Sequence, residues 1–442
     1  MNAKNKVMMA TLILTANLCS YTSVAQSLEQ AIETTITTEP KIAEAFHLFK
    51  AAQQDVNAAK SGYLPQIDLE AGFGYENTNN FSTRLRGEDG VGLNRGELSI
   101  SLKQKLFDGF AVMDNVQRTS YEATASQYAL YGLAQEQALK VARVYLDVLE
   151  AEKVVMLSER NLEKHKKVYD QISDRVKQGL GSSADLSQIE GRMARAQVNI
   201  ISAEHNLLDA KSNFIEIVGK EPVDLKWPVS DAAMLPSSLD EALRIARKDH
   251  PIILSAYSDI QAAGEQYELS KSNYYPKLSL ELDASQNNNL DGVEHSIEQI
   301  SAMLRMRYNL YGGGNDSANK LKAAYQEAQS KDIYALSVRQ VTASTKLSWR
   351  AVQYLDKQIP FLQKHVDSAK DAERIYEEQF FLGKRSLLDL LDTSNELFQA
   401  RKTYTSIEYS QLFAQYRVLA STGRLLASLR IEKPKQWSNN DE

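Results

Sequence analysis

A chain of 442 residues, 43% of them hydrophobic, holds enough apolar material for two or three ordinary domains. Its 51 basic and 57 acidic residues leave a net charge of −6, which provides no basic footprint for nucleic acid. The only cysteine, Cys19, falls within the first twenty-five residues, so a chain that loses them has no disulfide, thiolate metal site or cysteine nucleophile.

Those first residues read as a signal peptide over 1–25. Lys4 and Lys6 form a basic start, Val7 to Leu18 an apolar stretch, and Ser23-Val24-Ala25 a small-residue cleavage site before Gln26. Ala16-Asn17-Leu18 ahead of Cys19 is a poor match to a lipoprotein processing site. No other segment approaches the roughly 18 consecutive apolar residues of a membrane helix. A membrane protein made from this chain must therefore use strands.

The remainder is one unit written twice, over 26–219 and 239–430, joined by a connecting segment at 220–238 and followed by a tail at 431–442. Ser27-Leu28-Glu29-Gln30-Ala31 recurs as Ser238-Leu239-Asp240-Glu241-Ala242, and Tyr63 and Pro65 as Tyr274 and Pro276, at a spacing of 211. Further on, Leu106-Phe107 matches Leu310-Tyr311, and Asp185-Leu186 matches Asp389-Leu390, at a spacing of 204. Seven extra residues of the first unit thus lie between Pro65 and Leu106, where a surface loop tolerates them.

Each unit opens with helix, rich in Ala, Glu, Gln and Lys over 28–61. The hydrophobic period then becomes two. Over about 64–76, Ile67, Leu69, Ala71, Phe73 and Tyr75 alternate with Asp68, Glu70, Gly72, Gly74 and Glu76. A polar stretch from Asn77 to Arg95 reads as a loop. Alternation resumes over about 96–107, with Leu98, Ile100 and Leu102 opposite Ser99, Ser101 and Lys103. The second unit has matching strands over about 276–285 and 299–311. A half-buried sheet in a soluble domain shows the same alternation. Four strands of membrane-barrel length in symmetric positions on an exported chain favour lipid on one face and water on the other. Because known bacterial barrels need at least about eight strands, and open sheet edges are not tolerated in lipid, closure requires several chains.

A long helix follows in each unit. Val112 to Gln178 contains one glycine and no proline, and at 1.5 Å per residue would span on the order of 100 Å. Asn315 to Phe381 repeats it, with Pro360 expected to kink or break it. Partner helices run from Ser183 to Val218 and from Leu387 to Leu429. The pairs turn at Gly179-Leu180-Gly181-Ser182 and at Gly383-Lys384-Arg385-Ser386, where glycine stops one helix and serine starts the next. Pro222, Pro228 and Pro236 keep the connecting segment out of helix.

These residues carry a likeness that covers essentially the whole chain after the signal: the sequence resembles TolC-type outer-membrane efflux and secretion channels. The most specific mark is Gly383-Lys384-Arg385-Ser386-Leu387-Leu388-Asp389-Leu390-Leu391-Asp392, similar to the second-repeat tip of the branch serving type I protein secretion. Leu106-Phe107-Asp108-Gly109, Leu310-Tyr311-Gly312-Gly313 and the duplication also match, and the agglutination and adhesin-export members look nearest. The resemblance implies a mainly α protein with a membrane β-barrel: a homotrimer of the duplicated helix-strand-strand-long helix-helix unit. Its twelve-stranded barrel would sit in outer-membrane lipid on a long α-helical coiled-coil tunnel in the periplasm. The implied partners are a periplasmic adaptor and an inner-membrane ABC transporter. The alternatives are an efflux channel with a proton-driven pump or, from another class, a trimeric coiled-coil adhesin or stalk.

The resemblance further places aperture acids at Asp389 and Asp392, a tip arginine at Arg385, and adaptor docking at Gly179, Gly181, Ser182, Gly383, Lys384 and Ser386. Asp185 is the polar partner in the first tip, and Phe380 stands where the best-known member has a hydrogen-bonding tyrosine, a bond phenylalanine cannot donate. Three chains would set six carboxylates around a cation-attracting mouth. The plainer reading is local, since Ser386-x-x-Asp389 and Ser182-x-x-Asp185 both fit helix capping. Nothing indicates catalysis, metal or cofactor. Gly312-Gly313-Gly314 lacks the Gly-Lys-Ser/Thr of a phosphate loop. The histidines at 47, 165, 205, 250, 295 and 365 have no paired ligand spacing.

Overall fold

The computed structural model describes residues 25–438; the signal-peptide reading and Cys19 lie outside the described residues. The first unit runs α1 (Leu28–Thr38), α2 (Pro40–Lys60), β1 (Gln66–Thr78), α3 (Phe81–Leu85), β2 (Val91–Phe107), α4 (Ala111–Lys177) and α5 (Ser183–Val218). The second runs α6 (Leu239–Asp249), α7 (Pro251–Lys271), β3 (Lys277–Asn288), β4 (Ser296–Arg307), α8 (Asn315–Phe381) and α9 (Leu387–Ser421), closed by α10 (Leu425–Ser428). The duplication is therefore structural.

Equivalent helices start by equivalent chemistry. Ser27 and Gln30 form a reciprocal capping box on α1, with bonds of 3.3 and 3.0 Å. Ser238 caps α6 by accepting from the Glu241 amide at 3.2 Å. Pro40 and Pro251 each sit at the first helical positions of α2 and α7, where proline's missing N–H costs nothing.

Both α4 and α8 are 67 residues long. Of the kink or break expected at Pro360, the break does not occur: α8 continues through it. A proline inside a helix costs about 3 kcal/mol through one lost hydrogen bond and a ring clash. Pro360 itself is exposed, and through this stretch α8 packs along α9, with Gln411 donating to Asp356 at 2.7 Å.

The main core lies where α1, α4, α5 and α9 meet, around the fully buried Tyr145, Phe214, Leu146 and Tyr416. Tyr145 Oη lies 2.8 Å from the Gln26 carbonyl and 2.7 Å from that of Lys226, so one hydroxyl ties the start of the chain and the connecting segment to α4. At the other end of the chain, the Trp437 carbonyl accepts from Gln127 Nε2 at 2.7 Å.

The four strands form one antiparallel sheet in the order β1-β2-β3-β4, which leaves β1 and β4 as open edges. Its register lines up the apolar positions of all four strands. Ile67, Leu102, Leu282 and Ala302 share one row, and Leu69, Ile100, Ala284 and Ile300 the next. Between them on the opposite face lies the row Asp68, Ser101, Asp283 and Ser301, followed by Glu70, Ser99, Ser285 and Gln299. One face is thus apolar on all four strands in these two rows, with Gln104, Gln286 and Glu298 in the rows that flank them, and the other is mainly polar, with Met303 and Ile297 among its apolar members.

The stretch from Asn77 to Arg95 is more ordered than a loop: β1 continues to Thr78, α3 forms at 81–85, and β2 begins at Val91. Polar side chains on both faces leave no period to read there, and backbone pairing of Thr78 with Val91 extends the ladder regardless. On β4 the strand ends at Arg307, and Tyr308 to Tyr311 lie beyond it. Among the described residues no helix is long and apolar enough to cross a membrane.

Candidate functional site

The two long hairpins, α4–α5 and α8–α9, end in turns built alike. Gly179 and Gly383 take φ of 76° and 70°, a left-handed conformation that costs other residues energy. Leu180 N–H then reaches back to the Arg175 carbonyl at 2.8 Å, and Lys384 N–H to that of Gln379 at 2.8 Å. Each is a Schellman stop. Gly179, Gly181, Ser182, Gly383, Lys384 and Ser386 are all exposed.

The helix starts beyond the turns differ. Ser386 Oγ accepts from the Asp389 amide at 3.2 Å while the Asp389 carboxylate accepts from Ser386 N at 3.4 Å and from Ser386 Oγ at 2.9 Å, a complete capping box. In the first tip Ser182 Oγ accepts from the Ala184 amide at 3.1 Å, without a returning bond from Asp185. Asp389 is therefore committed to its own helix end. Arg385 lies 3.9 Å from Asp389, donates to Gln379 Oε1 at 3.0 Å, and stacks its guanidinium 4.2 Å above the Tyr376 ring.

Behind the turns, the hairpins share an apolar plug. Val168 and Ile172 of α4, Ile189 of α5, Phe380 of α8, and Leu387, Leu390 and Leu391 of α9 are buried together. Phe380 is one of its members and packs against its apolar neighbours. Each such side chain contributes about 1.5–3 kcal/mol on burial.

Two charged ties cross between the hairpins. Arg192 of α5 meets Asp392 of α9 at 2.6 Å, and Lys164 of α4 meets Glu373 and Glu377 of α8 at 2.9 and 3.1 Å. Ser394 donates to Glu373 at 2.9 Å. Arg192–Asp392 and Lys164–Glu377 each have one well-exposed partner and are worth about 1 kcal/mol or less, while Lys164–Glu373 is largely covered. The apolar plug therefore holds the tips together, and the ion pairs set their register. Neither Arg192 nor Lys164 was singled out in the sequence. Their partners lie some 200 residues away, and no local period marks them.

His165 sits between these ties, 4% exposed, with Nδ1 lacking a partner. Burial first, then the Arg192 and Lys164 cations, lower its pKa against the opposing pull of Glu373. His250, whose Nδ1 accepts from the Ile252 amide at 3.3 Å, is pushed down to about 4 by burial. In both histidines the fold disfavours the protonated ring, so the unfolded chain takes up protons more readily. Their stabilisation is complete above about pH 6.5 and is lost as pH falls through the folded values. The thermal midpoint should drop between pH 7 and pH 4, and His165→Gln should make that drop shallower. An unchanged profile in the variant would count against the assignment to His165.

Among the described residues no group of His, Cys, Asp and Glu is arranged to hold a metal ion. What the molecule offers is a membrane-type sheet at one end and paired helical tips at the other.

Comparison with known proteins bears on the whole of this arrangement. The family model described as "outer membrane efflux protein" matches residues 31–220 and 242–424, one match per structural unit. The chain is 26% identical over 378 residues to the outer membrane efflux protein BepC of Brucella suis, covering 85% of this chain and 80% of that one. It is 22% identical over 440 residues to the proteases secretion protein PrtF of Dickeya chrysanthemi, covering 96% and 93%. Its fold superposes on the crystal structure of the Campylobacter jejuni CmeC outer membrane channel with a TM-score of 0.79 at 15% identity, over 90% of this chain and 86% of that one.

Proposed function

Because the chain belongs to the outer membrane efflux protein family, the TolC-type channels, we propose that it is the exit duct of a type I secretion system. It is an outer-membrane transport conduit with its helical tunnel in the periplasm, and not an enzyme. Family members work as trimers with periplasmic adaptors and inner-membrane transporters. In the reading offered here, the transporter is of the ABC type, the adaptor docks at the exposed tips around Gly179 and Gly383, and the cargo is a protein. The channel is passive, and the transporter supplies the energy. Three sheets of four strands close into one barrel, each open β4 edge pairing with the β1 edge of the next chain, with outer-membrane lipid against the apolar face.

The observation that carries the secretion reading is the second tip. Gly383 to Asp392 resembles the secretion-branch tip in sequence, and its turn, capping box and exposed surface form one rigid end to two long helices. Multidrug or metal-ion efflux is the rival within the channel class. The coiled-coil stalk falls away, since a fibre has no use for a sheet with one apolar face.

A clean deletion strain decides between secretion and efflux. Loss of one large protein from the cell surface and medium, with tolerance to dyes, detergents and antibiotics unchanged, is the expected result. Broad drug sensitivity with surface proteins intact would overturn the secretion reading and leave efflux.

A further inference from the structure

The polar face of the sheet is sorted by charge along the strands. At its helix-proximal end Lys105 shares a row with Ser279 and Arg305, Lys277 pairs with Arg307, and Lys103 with Glu281. These five cations line one cleft at the base of the sheet, together with the carboxylates of Asp108 and Glu281. The two acids are already engaged. Glu281 meets Lys103 at 3.2 Å and Arg305 at 2.5 Å, and Asp108 accepts from the Val112 amide at 3.0 Å, capping α4. Among the described residues no carboxylate pairs with Lys105, Lys277 or Arg307, and Lys277 donates only to Asn273 Oδ1 at 3.1 Å. Further along the strands the same face turns acidic, with Asp68 and Asp283 in one row and Glu70 and Glu97 in the next two.

Lysine and arginine at a barrel rim can also reach out to lipid head groups. Strand parity argues otherwise for Lys105, Lys277 and Arg307. They share a face with Asp68 and Glu70, opposite Leu102, Leu280 and Leu304, so they point where the channel reading puts the lumen. Like charges crowded without counter-charges destabilise a fold, and the low-dielectric walls of a pore focus their field on whatever enters. Three unpaired cations per chain become nine around a three-chain lumen.

Resting on the channel reading, we propose that this belt is a carboxylate-binding station at the base of the barrel. It would engage acidic groups in transit, whether of a free polycarboxylate or of an acidic stretch of an extended polypeptide. The test uses the purified full-length trimer in planar bilayers at low salt, with citrate or an oligoglutamate peptide added on the barrel side. Each protein's own open-channel current is the reference. Both probes should block the unmodified channel, with at least a tenfold weaker apparent affinity in Lys105→Gln/Lys277→Gln/Arg307→Gln and a weaker block at high salt.

Block by the peptide alone would support the belt and identify a polypeptide as the source; block by citrate alone would support it for small anions. No block of the unmodified channel, or equal block in the variant, overturns the proposal. Absence of any conductance from the unmodified trimer would instead count against the channel reading. If the triple variant does not insert, Lys105→Gln and Arg307→Gln separately should each weaken the block several-fold, and no weakening in either overturns the belt.

Discussion

Arginine at Leu102 or Ile100 is expected to keep the protein out of the outer membrane, whereas arginine at Ser99 should be tolerated. Leu102 stands in the row of Ile67, Leu282 and Ala302, and Ile100 in that of Leu69, Ala284 and Ile300, well inside the apolar face. An arginine on the lipid face near the bilayer midplane costs about 2–4 kcal/mol, and a three-chain barrel would carry three of them, or about 6–12 kcal/mol. That is comparable to the whole stability of an ordinary domain. Leu280 and Leu304 lie nearer the helix-proximal end, beside Gln104, which donates to the Tyr63 carbonyl at 3.1 Å. Arginine there can reach the interface, and the expected cost falls to about 0–1 kcal/mol per chain. Membrane fractionation and the yield of folded trimer read the result. Normal insertion of Leu102→Arg would disprove the lipid-facing assignment.

The second large effect concerns the tips. Neutralising both acids, Asp389→Asn with Asp392→Asn, should lower the cation preference of the channel several-fold, because six carboxylates around the mouth of a trimer dominate the local potential. The fold should survive, since an asparagine oxygen still accepts the Ser386 bonds that Asp389 now accepts. Resting conductance should rise as well. Asp392 is bound to Arg192 at 2.6 Å, and weakening that tie loosens the register of the two hairpins while the apolar plug still holds their tips together. Arg192→Gln alone separates the two contributions: it should raise conductance with little change in selectivity. Reversal potentials in a salt gradient measure the selectivity, and the slope of the current–voltage curve in symmetric salt measures the conductance. An unchanged reversal potential in the double variant rules out the acidic ring.

The capping geometry at Asp389 and the proposed ring are compatible. A carboxylate folded back on its own helix end still carries its charge to the tip, and Asp392 remains substantially exposed despite its partner. The first tip, with Gln188 at the position that matches Asp392, contributes less. The second hairpin therefore bears most of the electrostatics in this reading, while the first supplies Arg192, Lys164 and half of the plug.

Local and periodic features were legible without coordinates. A period of two marks a strand because alternate side chains face opposite ways, and a long run free of proline and glycine marks a helix. The tip turns announced themselves through Gly179 and Gly383, and the helix starts beyond them through Ser182 and Ser386, because these conformations depend on a few adjacent residues. Repetition at spacings of 211 and 204 showed that whatever one unit formed the other would form too.

What tertiary structure alone decided involves partners far apart in the chain. The alignment of Leu102 with Ile67 and Leu282, the segregation of Lys105, Lys277 and Arg307 from Asp68 and Glu70, and the burial of His165 between Arg192 and Lys164 depend on which segments lie side by side. Pro360 belongs here as well: its local preference to break a helix does not prevail in α8, which runs on through it along α9. Sequence by itself determined the elements and their faces, since those follow from bonds between near neighbours. Register, ion-pair partners and the sorting of charge emerged only from the fold, because pairing free energies between distant segments leave no period in either one.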